Sequence, residues 1–146
     1  PVEEFYANIA KVRKEVGDRG VLRAIHFFNE NERVGKIVAA LNNDDFDTFK
    51  ALIQESGNSS YKFLQNVYAS SDPQNQAVSI GLAMSEILLD GHGVCRVHGG
   101  GFAGTIQAFV ENEHVETYKN GIEAVFGLGS CHVLKVRKYG GYKVLD

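Results

Sequence analysis

The sequence has little cysteine and no segment suited to crossing a membrane. Only two cysteines, Cys95 and Cys131, occur among its 146 residues. Both fall in segments with strand character, where small buried residues in a reducing compartment are the favoured interpretation and a disulfide is the lesser alternative. No apolar run approaches the roughly 20 residues of a membrane span, and no signal peptide precedes the first predicted helix. We therefore expect a cytoplasmic protein with no membrane partner.

An excess of basic residues is also missing. The net charge is -3 and the pI is near 6.0, whereas a nucleic-acid-binding domain typically has a pI above about 9. Acidic and basic residues are interspersed along the chain. Nucleic acid is therefore not expected as a partner, and residues 1–146 fit a single domain that is large enough for a real core.

Helical periodicity dominates the first half of the chain. Apolar residues recur at helical spacing over residues 2–12, and the glycines within 17–20 predict the end of that helix. A second apolar stripe covers residues 21–41 and is interrupted by the polar run 29–33. We favour a solvated turn for this run, with a polar contact to a neighbouring domain as the alternative.

Two further helices have recognisable start signals. Asp45 is placed to cap a third helix, which the small polar residues 56–60 are expected to bend or break. Asp72 and Pro73 predict the start of a fourth helix, and residues 90–93 predict its end.

The second half of the chain changes character. Alternating residues predict strands over 94–97 and 105–110, a helix follows from Asn112 to Phe126, and a strand is predicted over 130–138. A hairpin turn over 139–142 leads into a last strand. Helices followed by a mostly antiparallel sheet with a covering helix predict an α+β fold.

A dense glycine run lies between the first two predicted strands. Glycine enters positive-φ conformations cheaply and lets another molecule approach the backbone closely, so we favour a functional loop over a simple hairpin turn. We expect Gly100 and Gly101 to be needed for positive φ or close approach, with more effect on function than on stability. The candidate site comprises His98, Gly99, Gly100, Gly101, Phe102, Ala103 and Gly104.

This run matches a dinucleotide-binding fingerprint only in the spacing of its glycines. Gly99, Gly101 and Gly104 have the spacing G-x-G-x-x-G, but a helix would have to begin at the last glycine, and a strand is predicted there instead. No lysine follows Gly104, so a Walker loop is also excluded. Because the amides of a glycine loop can hold an anion without a helix, a phosphate near the loop remains a hypothesis.

No complete catalytic or metal-binding set stands out. The best metal candidate, Cys95 and His98 with Cys131 and His132, is disfavoured because neighbouring strand residues point to opposite faces. Residues 127–130 are typical of a helix C-cap rather than a phosphate loop. We assign no catalytic residue and no metal site, and the chain presents what looks like half of an active site.

The run Val97–Gly104 resembles the third motif of the GHMP small-molecule kinases, Met-Thr-Gly-Gly-Gly-Phe-Gly-Gly, which lies between two strands. The segments 30–34, 45–46 and 55–56 are similar to helices of the galactokinases within that family. The likeness extends over nearly the whole chain and is most specific at the glycine motif. It implies the ferredoxin-like α+β fold of the C-terminal domain of these enzymes.

The resemblance also implies that this chain and an N-terminal domain would contribute different parts of one active site. The parent enzyme would transfer the γ-phosphate of ATP to the 1-hydroxyl of galactose, using Mg²⁺, and this chain would supply the glycine-rich wall of the site. The nucleotide loop, the aspartate base and the main sugar contacts would belong to an N-terminal domain, the expected partner. The initial Pro1 agrees with a piece cut from a longer chain. This chain alone would bind no cofactor and would be inactive.

Departures from the motif leave alternatives open. His98 stands in place of threonine, Ala103 in place of glycine and Val97 in place of methionine, which leaves the sugar undecided. A related kinase acting on another hexose or small molecule is one alternative, and a non-catalytic α+β ligand-binding or regulatory module is another. We also expect the glycine run and residues 29–33 to share a face that meets the missing domain.

Overall fold

Within residues 1–102 and 104–136, which the computed structural model describes, the helices come first and a hairpin follows. The elements are α1 (Val2–Ala7), α2 (Ile9–Asn42), α3 (Phe46–Ser59), a π-helical turn (Ser60–Leu64), α4 (Ala77–Leu89), β1 (Gly93–Val97), β2 (Ile106–Val110), a 3-10 turn (Asn112–His114) and α5 (Val115–Phe126). The α+β class is confirmed, and the ferredoxin-like arrangement remains a prediction. None of the described helices has an apolar stretch long enough to span a membrane.

The long helix α2 differs from the prediction at two places. Gly17 has φ 76° and ψ 170°, so the expected helix end is a kink inside α2 rather than a separate loop. Residues 29–33 are helical, and the predicted solvated turn is therefore wrong. The polar run tolerates a helix because Glu30 and Arg33 pair with each other and with groups on neighbouring elements.

Helix α3 follows its sequence signals closely. The Thr48 amide donates to the Asp45 carboxylate over 3.0 Å, which confirms the predicted cap. Residues 56–59 remain α-helical, and only the helix type changes, because the π-helical turn follows α3 directly at Ser60. Gln65, with φ 53°, then ends the helix in the left-handed region.

Helix α4 begins later than predicted. Its first helical residue is Ala77, preceded by Gln76 as the cap position, so the start predicted at Asp72 and Pro73 is wrong. Asp72 instead accepts a hydrogen bond from the Asn75 side chain over 2.7 Å, which stabilises a local turn. The predicted end is confirmed, since α4 stops at Leu89 and residues 90 and 91 have positive φ.

The sheet is a two-stranded antiparallel hairpin within the described residues. Gly93 pairs with Val110 at one end of the ladder, and Val97 pairs with Ile106 at the other. The strand predicted over 130–138 is wrong for residues 130–136, which have no ladder partner in the described part. Alternation shows only that a segment suits a strand, and a strand forms when its backbone pairs with a neighbouring one. Residues 137 and 138 and the predicted hairpin after them lie outside the described residues.

The core packs one face of this hairpin against α4 and α5, while α3 lies against the other face, where Phe49 contacts Phe109. One cluster is formed by Leu89, Cys95, Tyr118 and Ile122. The other contains Val67, Val78 and Val97. Val97 is only 1% exposed, so the residue directly before the glycine run is fixed by apolar packing.

Two helical glycines have opposite surroundings, which gives a matched test of the fold. A methyl group on Gly35 would meet no atom within 4 Å, whereas one on Gly57 would lie 3.0 Å from Arg96 Cβ and 3.3 Å from the Cys95 carbonyl oxygen. Gly35→Ala should raise the free energy of unfolding by about 0.5–1 kcal/mol through helix propensity. Gly57→Ala should lower it, because overpacking costs about 1–3 kcal/mol. Denaturant unfolding measures both, and equal gains would contradict the close seating of α3 on β1.

Candidate functional site

The glycine connection, residues 98–105, joins the two strands of the hairpin and is shaped by positive φ angles. The His98 amide donates to the Thr105 carbonyl oxygen over 3.0 Å and closes the connection at its base. Gly99 has φ 63°, Gly101 has φ 73° and Gly104 has φ 86°. Phe102 also has a positive φ, 54°, which is uncommon for a bulky residue. Ala103, one of the candidate site residues, lies outside the described residues.

A buried asparagine that sequence reasoning missed holds the connection in place. Asn66 is 4% exposed and follows the π-helical turn. Its carbonyl oxygen accepts from the Phe102 amide over 2.8 Å, and its side-chain amide donates to the Gly100 carbonyl oxygen over 3.2 Å. No local sequence pattern marks Asn66, because its role depends on a contact between segments more than 30 residues apart.

The structure divides the glycines into two kinds. A methyl group on Gly101 would lie 2.0 Å from the Asn66 carbonyl oxygen, so Gly101 is needed for close approach to this chain's own backbone. This contact gives Gly101 a structural role in addition to the functional one that the sequence predicts. Methyl groups on Gly99, Gly100 and Gly104 would meet no described atom within 4 Å. Gly100 does not have a positive φ, so that reason for it is wrong, whereas close approach by another molecule remains a prediction.

The open part of the connection offers backbone donors to solvent. Among the described residues, no backbone carbonyl accepts from the amides of Gly99, Gly100 and Gly101. The sign of φ alternates along these three residues, as it does where successive amides form an anion-binding concavity. His98 and Phe102 are exposed beside them. This arrangement can bind an anionic group through main-chain hydrogen bonds.

A partly buried charge network underlies the start of the connection. Ser56 donates to the Glu30 carboxylate, and Arg96 donates to the Ser56 hydroxyl over 2.6 Å. Arg96 also lies 3.5 Å from Glu30, and Arg33 pairs with the same carboxylate. The network joins α2, α3 and β1, so Glu30 and Arg33 are engaged inside this chain. A meeting of this face with another domain remains a prediction.

The pKa of Glu30 is set by opposing effects. Burial raises this pKa, but the hydrogen bond from Ser56 and the charges of Arg33 and Arg96 outweigh burial and leave it below its ordinary value. The carboxylate is therefore ionised at neutral pH and balances the two guanidinium groups around it.

The cysteine and histidine residues considered as metal ligands do not converge. Cys95 is 2% exposed in the core, where burial raises its pKa to about 11. Cys131 packs against the same cluster, and burial raises its pKa as well. His98 and His132 point outward. The set forms no metal-binding group among the described residues, and both thiols are free rather than joined in a disulfide.

The turn after α5 is a helix cap, as predicted. Gly127 has φ 96°, and its amide donates to the Glu123 carbonyl oxygen over 2.8 Å. The Glu123 carboxylate accepts from the Gly129 amide over 3.0 Å. The amides of Gly127 and Gly129 therefore already donate hydrogen bonds within the chain, whereas a phosphate loop would need them to bind the phosphate.

A shallow cleft lies between α3, α4 and β1, and Arg96 forms part of its lining. Its volume is about 200 Å³, and its lining includes Tyr61, Ser79 and Glu86. Ligand pockets commonly enclose about 300–1,000 Å³, so this cleft is too small to enclose a nucleotide.

No protein-family model matches this chain, and no curated protein is significantly similar to it in sequence.

The charge network predicts a pH-dependent contribution to stability. Glu30→Gln should lower the free energy of unfolding at pH 7 by about 1–3 kcal/mol, because it removes the carboxylate that pairs with Arg96 and one of the two that pair with Arg33. The stabilisation by a carboxylate with a lowered pKa is complete above the ordinary glutamate value near pH 4.3 and disappears as the pH falls through the lowered pKa. The difference between variant and parent should therefore shrink in acid.

Denaturant unfolding across this pH range checks the prediction. Glu32→Gln is the matched control, because Glu32 lies on the same helix but pairs with Lys36 at the surface. A Glu30→Gln effect that equals the control, or that does not depend on pH, would contradict the network.

The two kinds of glycine predict different effects on stability. Gly101→Ala should lower the free energy of unfolding by at least about 1–2 kcal/mol, because alanine is strained at positive φ and its methyl group meets the Asn66 carbonyl. Gly100→Ala should change it by less than about 0.5 kcal/mol. Thermal unfolding of both variants measures the contrast, and comparable losses would show that the open side of the connection is packed after all.

Proposed function

We propose that this chain is the C-terminal domain of a galactokinase-like sugar kinase, in which the glycine connection forms one wall of the phosphoryl-transfer site. The proposal rests on the resemblance of Val97–Gly104 to the third motif of the GHMP kinases and on the shape of the connection. The parent enzyme would transfer the γ-phosphate of ATP to the 1-hydroxyl of galactose.

The observation that carries the proposal is the open side of the glycine connection. Gly99, Gly100 and Gly104 have no described neighbour at their Cβ positions, although the connection is fixed at Asn66 and at its base. A simple hairpin turn would not need a fixed backbone with several bare positions facing outward. A surface that a phosphate-bearing ligand approaches closely would need such glycine positions, because they carry no side chain that blocks the backbone.

Phosphoryl transfer suits a site of this composition. Its catalysis consists mainly of positioning and of stabilising negative charge, and preorganised backbone amides supply that stabilisation. In the proposed role, the amides of Gly99–Gly101 face the phosphates and His98 lies at the edge of the site. Residues 97–105 contain no acidic side chain, so they do not suit Mg²⁺, whose protein ligands are mainly carboxylates. The base and the metal ligands would come from the other domain.

An exposed apolar stripe on α2 supports the presence of that domain. Phe27, Val34, Val38 and Leu41 are each between 44% and 58% exposed, and their spacing of seven, four and three residues puts them on one face of the helix. We propose the N-terminal domain of the parent enzyme as its occupant, since apolar surface of this extent favours cover by another domain.

Kinetics of the full-length protein that contains this chain test the proposal. Gly100→Val should lower kcat/KM for galactose by at least tenfold, equivalent to about 1.4 kcal/mol of transition-state stabilisation, because a branched side chain would block the open amides. A coupled assay of ADP release with galactose, ATP and Mg²⁺ measures this. Gly100 is chosen because its substitution should leave the fold intact, unlike that of Gly101.

The same assay has two informative companions. His98→Thr, which restores the usual residue of the motif, should be tolerated if His98 is peripheral. The isolated chain should release no ADP above background. A Gly100→Val enzyme with parental kinetics would remove the connection from the site, and turnover by the isolated chain that responds to mutations within it would overturn the proposal.

A further inference from the structure

We infer that His92, Glu111 and His114 form a binding site for a divalent transition metal ion of the Zn²⁺ class. One donor atom from each side chain lies within 4.8 Å of the other two. The His92 Nδ1 atom is 3.1 Å from a Glu111 carboxylate oxygen, and the His92 and His114 rings stack with their centroids 3.7 Å apart. This cluster is separate from the glycine connection and plays no part in the proposed kinase chemistry.

The backbone holds these three residues together. The Glu111 amide donates to the His92 carbonyl oxygen over 2.9 Å, and the His114 amide donates to the Glu111 carbonyl oxygen over 2.9 Å. His92 directly precedes β1, and Glu111 directly follows β2. The cluster therefore lies where Gly93 pairs with Val110, four residues along the ladder, or roughly 13 Å, from the end that carries the glycine connection.

The distances are compatible with coordination after small side-chain movements. A tetrahedral ion with bonds of about 2.0–2.1 Å holds its ligand atoms roughly 3.4 Å apart, so each donor pair has to close by about 1.4 Å at most from the observed limit of 4.8 Å. The side chains of His92 and Glu111 are 46% and 47% exposed. Rotation of the His92 ring out of the parallel stack is therefore not blocked by a packed core.

The donor chemistry selects the kind of ion. Two imidazoles with one carboxylate suit Zn²⁺ and its neighbours Co²⁺ and Ni²⁺, whereas Mg²⁺ and Ca²⁺ prefer oxygen ligands alone. Three protein ligands leave a coordination position for water or another donor, as in open zinc sites.

Lys50 carries a positive charge that would oppose the binding of a metal ion by Glu111. Its ammonium group lies 3.2 Å from one Glu111 oxygen, while His92 contacts the other oxygen. Lys50 also pairs with Asp47 over 3.3 Å. It therefore has an alternative partner when Glu111 turns toward an ion, and one carboxylate oxygen suffices as a ligand.

Zn²⁺ titration of the purified, metal-free chain tests the inference. Isothermal calorimetry should show one Zn²⁺ per chain, and thermal unfolding should shift upward with Zn²⁺ because the ion binds the folded state. His92→Gln and His114→Gln should each weaken binding by roughly tenfold or more. Co²⁺ should give visible absorption with the parent chain that both variants lose.

His132→Gln is the matched control, because His132 is an exposed histidine outside the cluster. It should bind Zn²⁺ as the parent does. Thermal unfolding in the presence of a chelator should be the same for all variants, which separates loss of the site from loss of the fold. Equal Zn²⁺ affinity in the parent, His92→Gln and His114→Gln would overturn the inference, and so would an equal loss in His132→Gln.

Discussion

The partly buried carboxylate of Glu30 is the interaction on which the arrangement of α2, α3 and β1 depends. It brings Ser56 of α3 and Arg96 of β1 to one point on α2, with Arg33 alongside. A charge removed from water must be paired, because an uncompensated one is costly. The network therefore sets how the long helix lies against the hairpin. Its member on β1, Arg96, directly precedes Val97 and lies two residues before the start of the glycine connection.

The hairpin gives its two ends different chemistry. At one end, backbone amides and bare glycines suit an anion, and the connection is held by the close approach of Gly101 to Asn66. At the other end, two imidazoles and a carboxylate suit a metal cation. Both depend on the same antiparallel register, because it fixes which residues directly follow and precede the strands.

Sequence reasoning selected the glycine connection as the candidate site but could not assign roles to its individual glycines. It found the glycine connection, because dense glycine is a local signal of positive φ or close approach. It could not tell Gly101, which faces Asn66, from Gly100, which faces open space. It also missed the group of His92, Glu111 and His114, since nothing in their spacing shows that a hairpin brings them together.

The sequence by itself determined the α+β class, the cap at Asp45, the end of α4 and the hairpin strands, because these follow from local periodicity and from signals within a few residues. Only the tertiary structure decided the rest. It made residues 29–33 helical, since their charges find partners on α3 and β1. It left residues 130–136 without a ladder among the described residues. Pairing of charges and strands depends on groups distant in the chain, which local pattern does not specify.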